Sequence, residues 1–213
     1  MRFRVDRLIA GKSMLSKRQS GFTMIELMVT LLVLVILAAI AAPSFNELIE
    51  KSRLRGATDD LVSVLNTARA NAVKLQRDVN VSVSGTAWCA GAISAPNPGN
   101  VGDPIPSATP CDCNASPATC QVGGQPALVS STNYSGVTIS NVSAGINYVD
   151  STSGVIFNSK LGALSLSALP ANPLLTVTSK SGRYSTQISV APLGQVTVCV
   201  PTGQSFIAGY PSC

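Results

Sequence analysis

From Phe22 to Ala42 the chain runs through 21 residues whose only charged side chain is Glu26. A carboxylate in such a run costs roughly 2.5 to 3.5 kcal/mol at a bilayer centre and less toward its edge, so Glu26 demands a cation. Six cysteines, Cys89, Cys111, Cys113, Cys120, Cys199 and Cys213, all follow this run. An even count in an oxidising compartment fits disulfides. The easiest pair is Cys199 with Cys213, which closes 13 intervening residues, a loop worth about 3 kcal/mol by chain entropy. Cys111 and Cys113 are too close to be natural partners, so Cys89 and Cys120 are each expected to take one of them. The competing chemistry is a zinc site made from these four thiolates, but Cys-x-Cys departs from the usual knuckle spacing. Histidine is absent, which removes the usual general base and the commonest metal ligand. No paired-carboxylate or nucleophile motif replaces it, and Asp103, Asp112 and Asp150 are scattered. The expectation is a non-enzyme without cofactor or metal.

The apolar run must place Glu26. At a rise of about 1.5 Å per residue it covers roughly 31 Å, one hydrocarbon thickness. Lys17 and Arg18 put the preceding leader in the cytoplasm and the rest of the chain outside it. An ordinary secretory signal is the alternative, with Leu31 to Leu37 as its apolar core and Ala39-Ile40-Ala41 as its cleavage site. Met14 offers a second start, which would make residues 1 to 13 surplus. The segment before Phe22 carries six basic side chains against Asp6, and the remainder holds nine basic and nine acidic ones. The basic pI of the whole chain therefore says nothing about an anionic partner, and the concentrated basic face of a nucleic-acid binder is missing. The 171 residues from Pro43 onward suit one extracytoplasmic domain.

Beyond Pro43, Phe45, Leu48, Ile49, Leu54, Ala57, Leu61, Leu65, Ala68, Ala72 and Leu75 recur at steps of three to five, a helical period. Glu47 with Lys51 and Glu50 with Arg53 read as pairs on a solvated face. One helix from Phe22 to Gln76 follows, roughly 80 Å long, with a kink expected near Pro43. After Asp78 the period becomes alternating: Val79, Val81, Val83, then residues 137–139, 155–157, 175–177, 188–190 and 196–200. Gly85, Gly136, Gly154, Gly182 and Gly194 punctuate these strands as turns. The fold class is α+β, a long N-terminal helix packed on an antiparallel sheet or small sandwich. Residues 91–126 hold seven of the 13 prolines and five of the 17 glycines, and read as a disulfide-braced loop insertion, either a recognition surface or a tolerated one.

Lys17-Arg18-Gln-Ser-Gly21-Phe22-Thr-Met-Ile-Glu26-Leu, followed by the apolar run, resembles the class III signal of type IV prepilins and type II secretion pseudopilins. The resemblance implies that a membrane peptidase cuts between Gly21 and Phe22 and that Phe22 is N-methylated. It implies that Glu26 pairs with the Phe22 amine of the same or a neighbouring subunit, and that Pro43, the twenty-second residue from Phe22, marks the pilin kink. The domains are then 1–21, a cleaved leader; 22–43, the transmembrane and assembly half of the helix; and 44–213, a periplasmic pilin domain carrying the 91–126 insertion.

Ala-Val-Lys-Leu-Gln-Arg-Asp-Val-Asn-Val-Ser-Val (72–83), Gly-Val-Ile-Phe-Asn (154–158) and Leu-Gly-Gln-Val-Thr-Val-Cys (193–199) resemble the FimT/GspH family of minor pilins and pseudopilins, FimU included. That family often has Gly-Arg where this chain has Gly194-Gln195. The loop closed by Cys199 and Cys213 resembles the disulfide-bounded terminal loop of many pilins. The family implies a minor pilin of a type IV pilus tip or priming complex, or the equivalent pseudopilin of type II secretion. Its partners would be other pilins or pseudopilins, the prepilin peptidase and the inner membrane. Some FimT relatives bind DNA through Gly-Arg-x-Arg. Here Gly182-Arg183-Tyr184-Ser185 supplies half of that element, with Lys180 and Arg183 as phosphate contacts and Tyr184 as a stacking ring; a plain β-turn with a solvated charge is the alternative.

Overall fold

The computed structural model describes residues 21–84, 87–96, 111–113, 119–141, 154–164 and 174–213, without the side chains of Pro43, Ser84, Asn141 and Leu174. Leader residues 1–20, Gly85, Asp103, Asp150 and most of the insertion lie outside the described residues, as does the side chain of Pro43, where the kink is expected. The chain divides into two units, Met1–Ser44 and Phe45–Cys213. Helix α1, Met24–Leu75, enters both. In the first unit, side chains 22–42 are exposed throughout.

In the second unit α1 buries Leu54, Ala57, Leu61, Leu65, Ala68 and Ala72, spaced three and four apart. Phe45 and Leu48 share the apolar period but are 64% and 65% exposed. At 100° per residue they sit across the helix from Leu54 and Leu61, so the domain cannot reach them.

The helix ends where its C-terminal carbonyls find donors. The Gln76 amide bonds Val73 O at 3.3 Å and the Arg77 amide bonds Ala72 O at 3.1 Å, a Schellman closure with Gln76 left-handed at φ 54°. Glycine is the usual residue there. Gln76→Gly is expected to stabilise the fold by about 0.5 to 1 kcal/mol, measured by chemical denaturation of the mature chain.

Among the described residues, two four-stranded antiparallel sheets and a small ribbon complete the domain. β1 (Val79–Ser84), β2 (Cys89–Ser94), β5 (Leu128–Ser130) and β7 (Val155–Phe157) form the first sheet, in the order β5-β2-β1-β7. β6 (Thr138–Asn141), β8 (Leu174–Thr178), β9 (Ser185–Val190) and β10 (Val196–Cys199) form the second, in the order β10-β9-β8-β6. β3 (Gln121–Val122) pairs with β4 (Gln125–Pro126). Val79, Val81 and Phe157 from the first sheet, Val177 and Ile188 from the second, and the α1 stripe join one core. Inside it the hydroxyls of Thr58 and Thr186 bond at 2.7 Å, so helix and β9 meet in one register.

Residues 91–126 are not simply a loop. They supply most of β2 and all of β3 and β4. Cys-Ala-Gly-Ala-Ile-Ser lacks the β-branched alternation that reveals a strand in sequence. Gly91 has a physical reason to lack a side chain: a Cβ there would overlap the Cys120 sulfur and lie 3.0 Å from that of Cys111. The Ser82 hydroxyl on β1 donates to Cys111 O at 3.2 Å. Cys111 and Cys120 therefore pack against the first sheet.

Candidate assembly site and the docked helix face

The start of α1 is built by its own sequence. The Thr23 hydroxyl accepts the Glu26 amide at 3.3 Å and the Thr23 carbonyl accepts the Leu27 amide at 3.1 Å. Thr-x-x-Glu is the capping-box pattern, and Glu26 gains from the positive end of the helix. Phe22 and Met24 are 82% and 83% exposed. Among the described residues no ion pair reaches Glu26. Among its described residues the first unit is thus an exposed apolar helix whose one carboxylate, near its start, has no ion pair, and the helix is long and apolar enough to cross a membrane.

Most charged residues of the half-helix from Phe45 to Leu75 reach partners on the rest of the domain, while Glu47 and Lys51 also form the expected exposed pair. Tyr184 donates to Glu47 and Tyr210 to Asp59, each at 2.5 Å, and Tyr134 donates to Asp60. Glu50 accepts the Ser181 amide at 2.5 Å, while Arg53 donates to Ser135 O at 3.3 Å. The expected Glu50–Arg53 pair gives way to these contacts, because the sheet-side loops offer fixed partners to each group. Glu47 keeps its Lys51 partner at 2.8 Å. Lys51 and Arg55 also sit over the rings of Tyr184 and Tyr210, at 4.8 and 5.9 Å from the centroids.

These contacts set a pH range for the domain. Lys51 first, then Tyr184, holds Glu47 below its ordinary value of 4.5, and Ser181 does the same for Glu50. Their contribution is full above pH 4.5 and fades as pH falls through the lower folded values. The Asp60 hydrogen bond, helped by burial, pushes Tyr134 from 10.0 up to about 12. Its folded form favours the protonated phenol, so its contribution is full below pH 10 and lost toward pH 12. Burial first, then Asp59, raises Tyr210 as well. The melting temperature is expected to drop as pH rises from 10 toward 12, and Tyr134→Phe should flatten that drop by roughly a few degrees in calorimetry at stepped pH.

The three short family-like motifs form a second set of contacts at the other end of the half-helix. Asp78 accepts the Ser159 amide at 2.8 Å, and Asn158 Oδ1 accepts the Leu161 amide at 2.8 Å, closing the turn after β7. Arg69 on α1 donates to Gly162 O at 3.2 Å and Leu193 O at 3.0 Å, clamping the turns after β7 and β9 to the helix. The exposed leucines of these turns, Leu161 and Leu193, have no such hold on their side chains.

Cys199 is bonded to Cys213, Cys89 to Cys113 and Cys111 to Cys120. Bonded sulfurs are not thiolates, so these pairs rule out the four-cysteine zinc reading. Lys180, Arg183 and Tyr184 do sit together at the β8–β9 turn, with Lys180 and Arg183 exposed. Tyr184 does not serve as a stacking ring: it is 2% exposed and is flanked by Lys51 and Arg183. Its pull inward is the Glu47 bond, from a partner 137 residues away, which no local sequence pattern reveals.

A carboxylate without an ion pair among the described residues, at the capped start of an exposed apolar helix that leads into an α+β domain with a disulfide-closed terminus, defines the pilin class. Residues 16–42 match the family model of the prokaryotic N-terminal methylation motif. Residues 57–194 match the model of the type II transport protein GspH, and the chain belongs to that family of minor pilins and pseudopilins. Neither the curated proteins nor the solved structures contain a significant match to it.

Proposed function

We propose that the chain is a minor pilin of the FimT/FimU kind that takes part in type IV pilus assembly, in a complex that primes the filament and sits at its tip. Its role is structural and not catalytic. A prepilin peptidase cuts between Gly21 and Phe22, and Phe22 is N-methylated. Before assembly, residues 22–43 hold the protein in the inner membrane with the domain in the periplasm. The observation that carries this reading is Glu26: a lone carboxylate on an uncovered apolar helix, without an ion pair among the described residues. The Phe22 amine, in the same or an adjacent subunit, supplies the charge it lacks and aligns helices as subunits join.

The match of residues 57–194 to the type II transport protein favours a second reading, a minor pseudopilin of a type II secretion system. Both readings share the processing step. Intact mass and amino-terminal sequencing of chain made with a prepilin peptidase are expected to give N-methyl-Phe22. Cleavage near Ala41 would overturn both. Deletion of the gene in its host separates the two: loss of surface filaments supports the pilus, and retained filaments with loss of secreted enzymes supports the secretion system.

A further inference from the structure

The side-chain charge from Phe22 onward sums to zero, yet one groove is lined by two cations, Arg53 and Lys180, against one carboxylate, Glu50. Glu50 and Arg53 on α1 face Ser135, Val137, Lys180 and Ser181 across a groove of about 550 Å3. Among the described lining residues Glu50 is the acidic one: it accepts the Ser181 amide and offsets one of the two positive charges, leaving one in excess. Arg53 spends one N–H on the Ser135 carbonyl and keeps the rest of its donor fork free. The Lys180 stem lies across Gly136, where φ is +85° and a Cβ would come 2.9 Å from that of Lys180. The stem is thereby placed, while the ammonium has no ion pair among the described residues.

We infer that this groove receives a carboxylate side chain, Asp or Glu, from the neighbouring subunit of the same filament. The inference deepens the filament reading and rests on it. Arg53 and Lys180 line the same groove, and each has an N–H donor to offer a carboxylate oxygen. A diffusing anion gains little at exposed cations. A carboxylate carried on a subunit already held by its helix arrives at high effective concentration, so the same weak contacts suffice to set subunit register.

The test is carbodiimide cross-linking of intact filaments from the native host, read by peptide mass spectrometry. An amide between Lys180 and an Asp or Glu of another subunit is expected. Lys180→Gln should abolish it and Lys160→Gln should leave it unchanged. Arg53→Gln should lower its yield by about two- to fivefold, the effect of losing one exposed charge contact. Filaments that contain the chain but show no inter-subunit amide at Lys180 overturn the inference and leave the filament reading standing. Absence of the chain from filaments overturns both.

Discussion

Glu26→Gln is expected to leave membrane insertion and leader removal intact while lowering the amount of chain in filaments by about thirtyfold. Glutamine keeps the size of the side chain, and the Thr23 hydroxyl still caps the amide of residue 26, so the helix start survives. Only the charge is lost. Removing one member of a buried ion pair costs about 3 to 5 kcal/mol, and near the edge of the apolar layer about 2 kcal/mol remains, which is the stated factor. Quantitative immunoblotting of sheared filaments against the membrane fraction checks it. Equal incorporation of the variant would remove the pairing role assigned to Glu26. The isosteric change also separates charge from packing, because the neighbouring apolar side chains are unaltered.

Gly194→Ala is expected to destabilise the domain by about 2 to 5 kcal/mol. Gly194 has φ +79°, where a non-glycine residue pays roughly 1 to 2 kcal/mol. The added Cβ would also overlap the Gly162 carbonyl and lie 2.9 Å from Arg69 Nε. Overpacking of this kind adds about 1 to 3 kcal/mol. Backbone, and not a flexible side-chain end, blocks the methyl, so the clash is relieved only by parting the turns that Arg69 holds together. Denaturant titration of the mature chain measures the change. Gln195→Ala, one residue on and exposed, is expected within about 0.5 kcal/mol of wild type. Similar values for the two variants would show that the clamp bears little of the stability.

The residues from Gly21 to Leu75 were readable because their instructions are local. A 3.6-residue period, a capping pair three residues apart and an apolar run of membrane length need no distant partner to take effect. Val79, Val81 and Val83 announced β1 by alternation in the same way. Cys111 and Cys113 could be assigned to different bridges because sulfurs so close along the chain make poor partners. β2 was hidden because its packing, with Gly91 beneath a disulfide, calls for small residues in place of branched ones.

Sequence by itself therefore determined the class of the protein, its membrane-length helix and the alternation of most strands, since each follows from neighbours along the chain. Tertiary structure alone decided what the polar residues do. Glu47, Asp59 and Asp60 find their tyrosines 137, 151 and 74 residues away. Arg69 finds its carbonyls 93 and 124 residues away. A carboxylate on a helix reads as solvated until a fold brings a donor to it. The burial of Tyr184 and the gathering of Arg53 and Lys180 in one groove with Glu50 are likewise properties of surfaces that exist only once the sheets close over the helix.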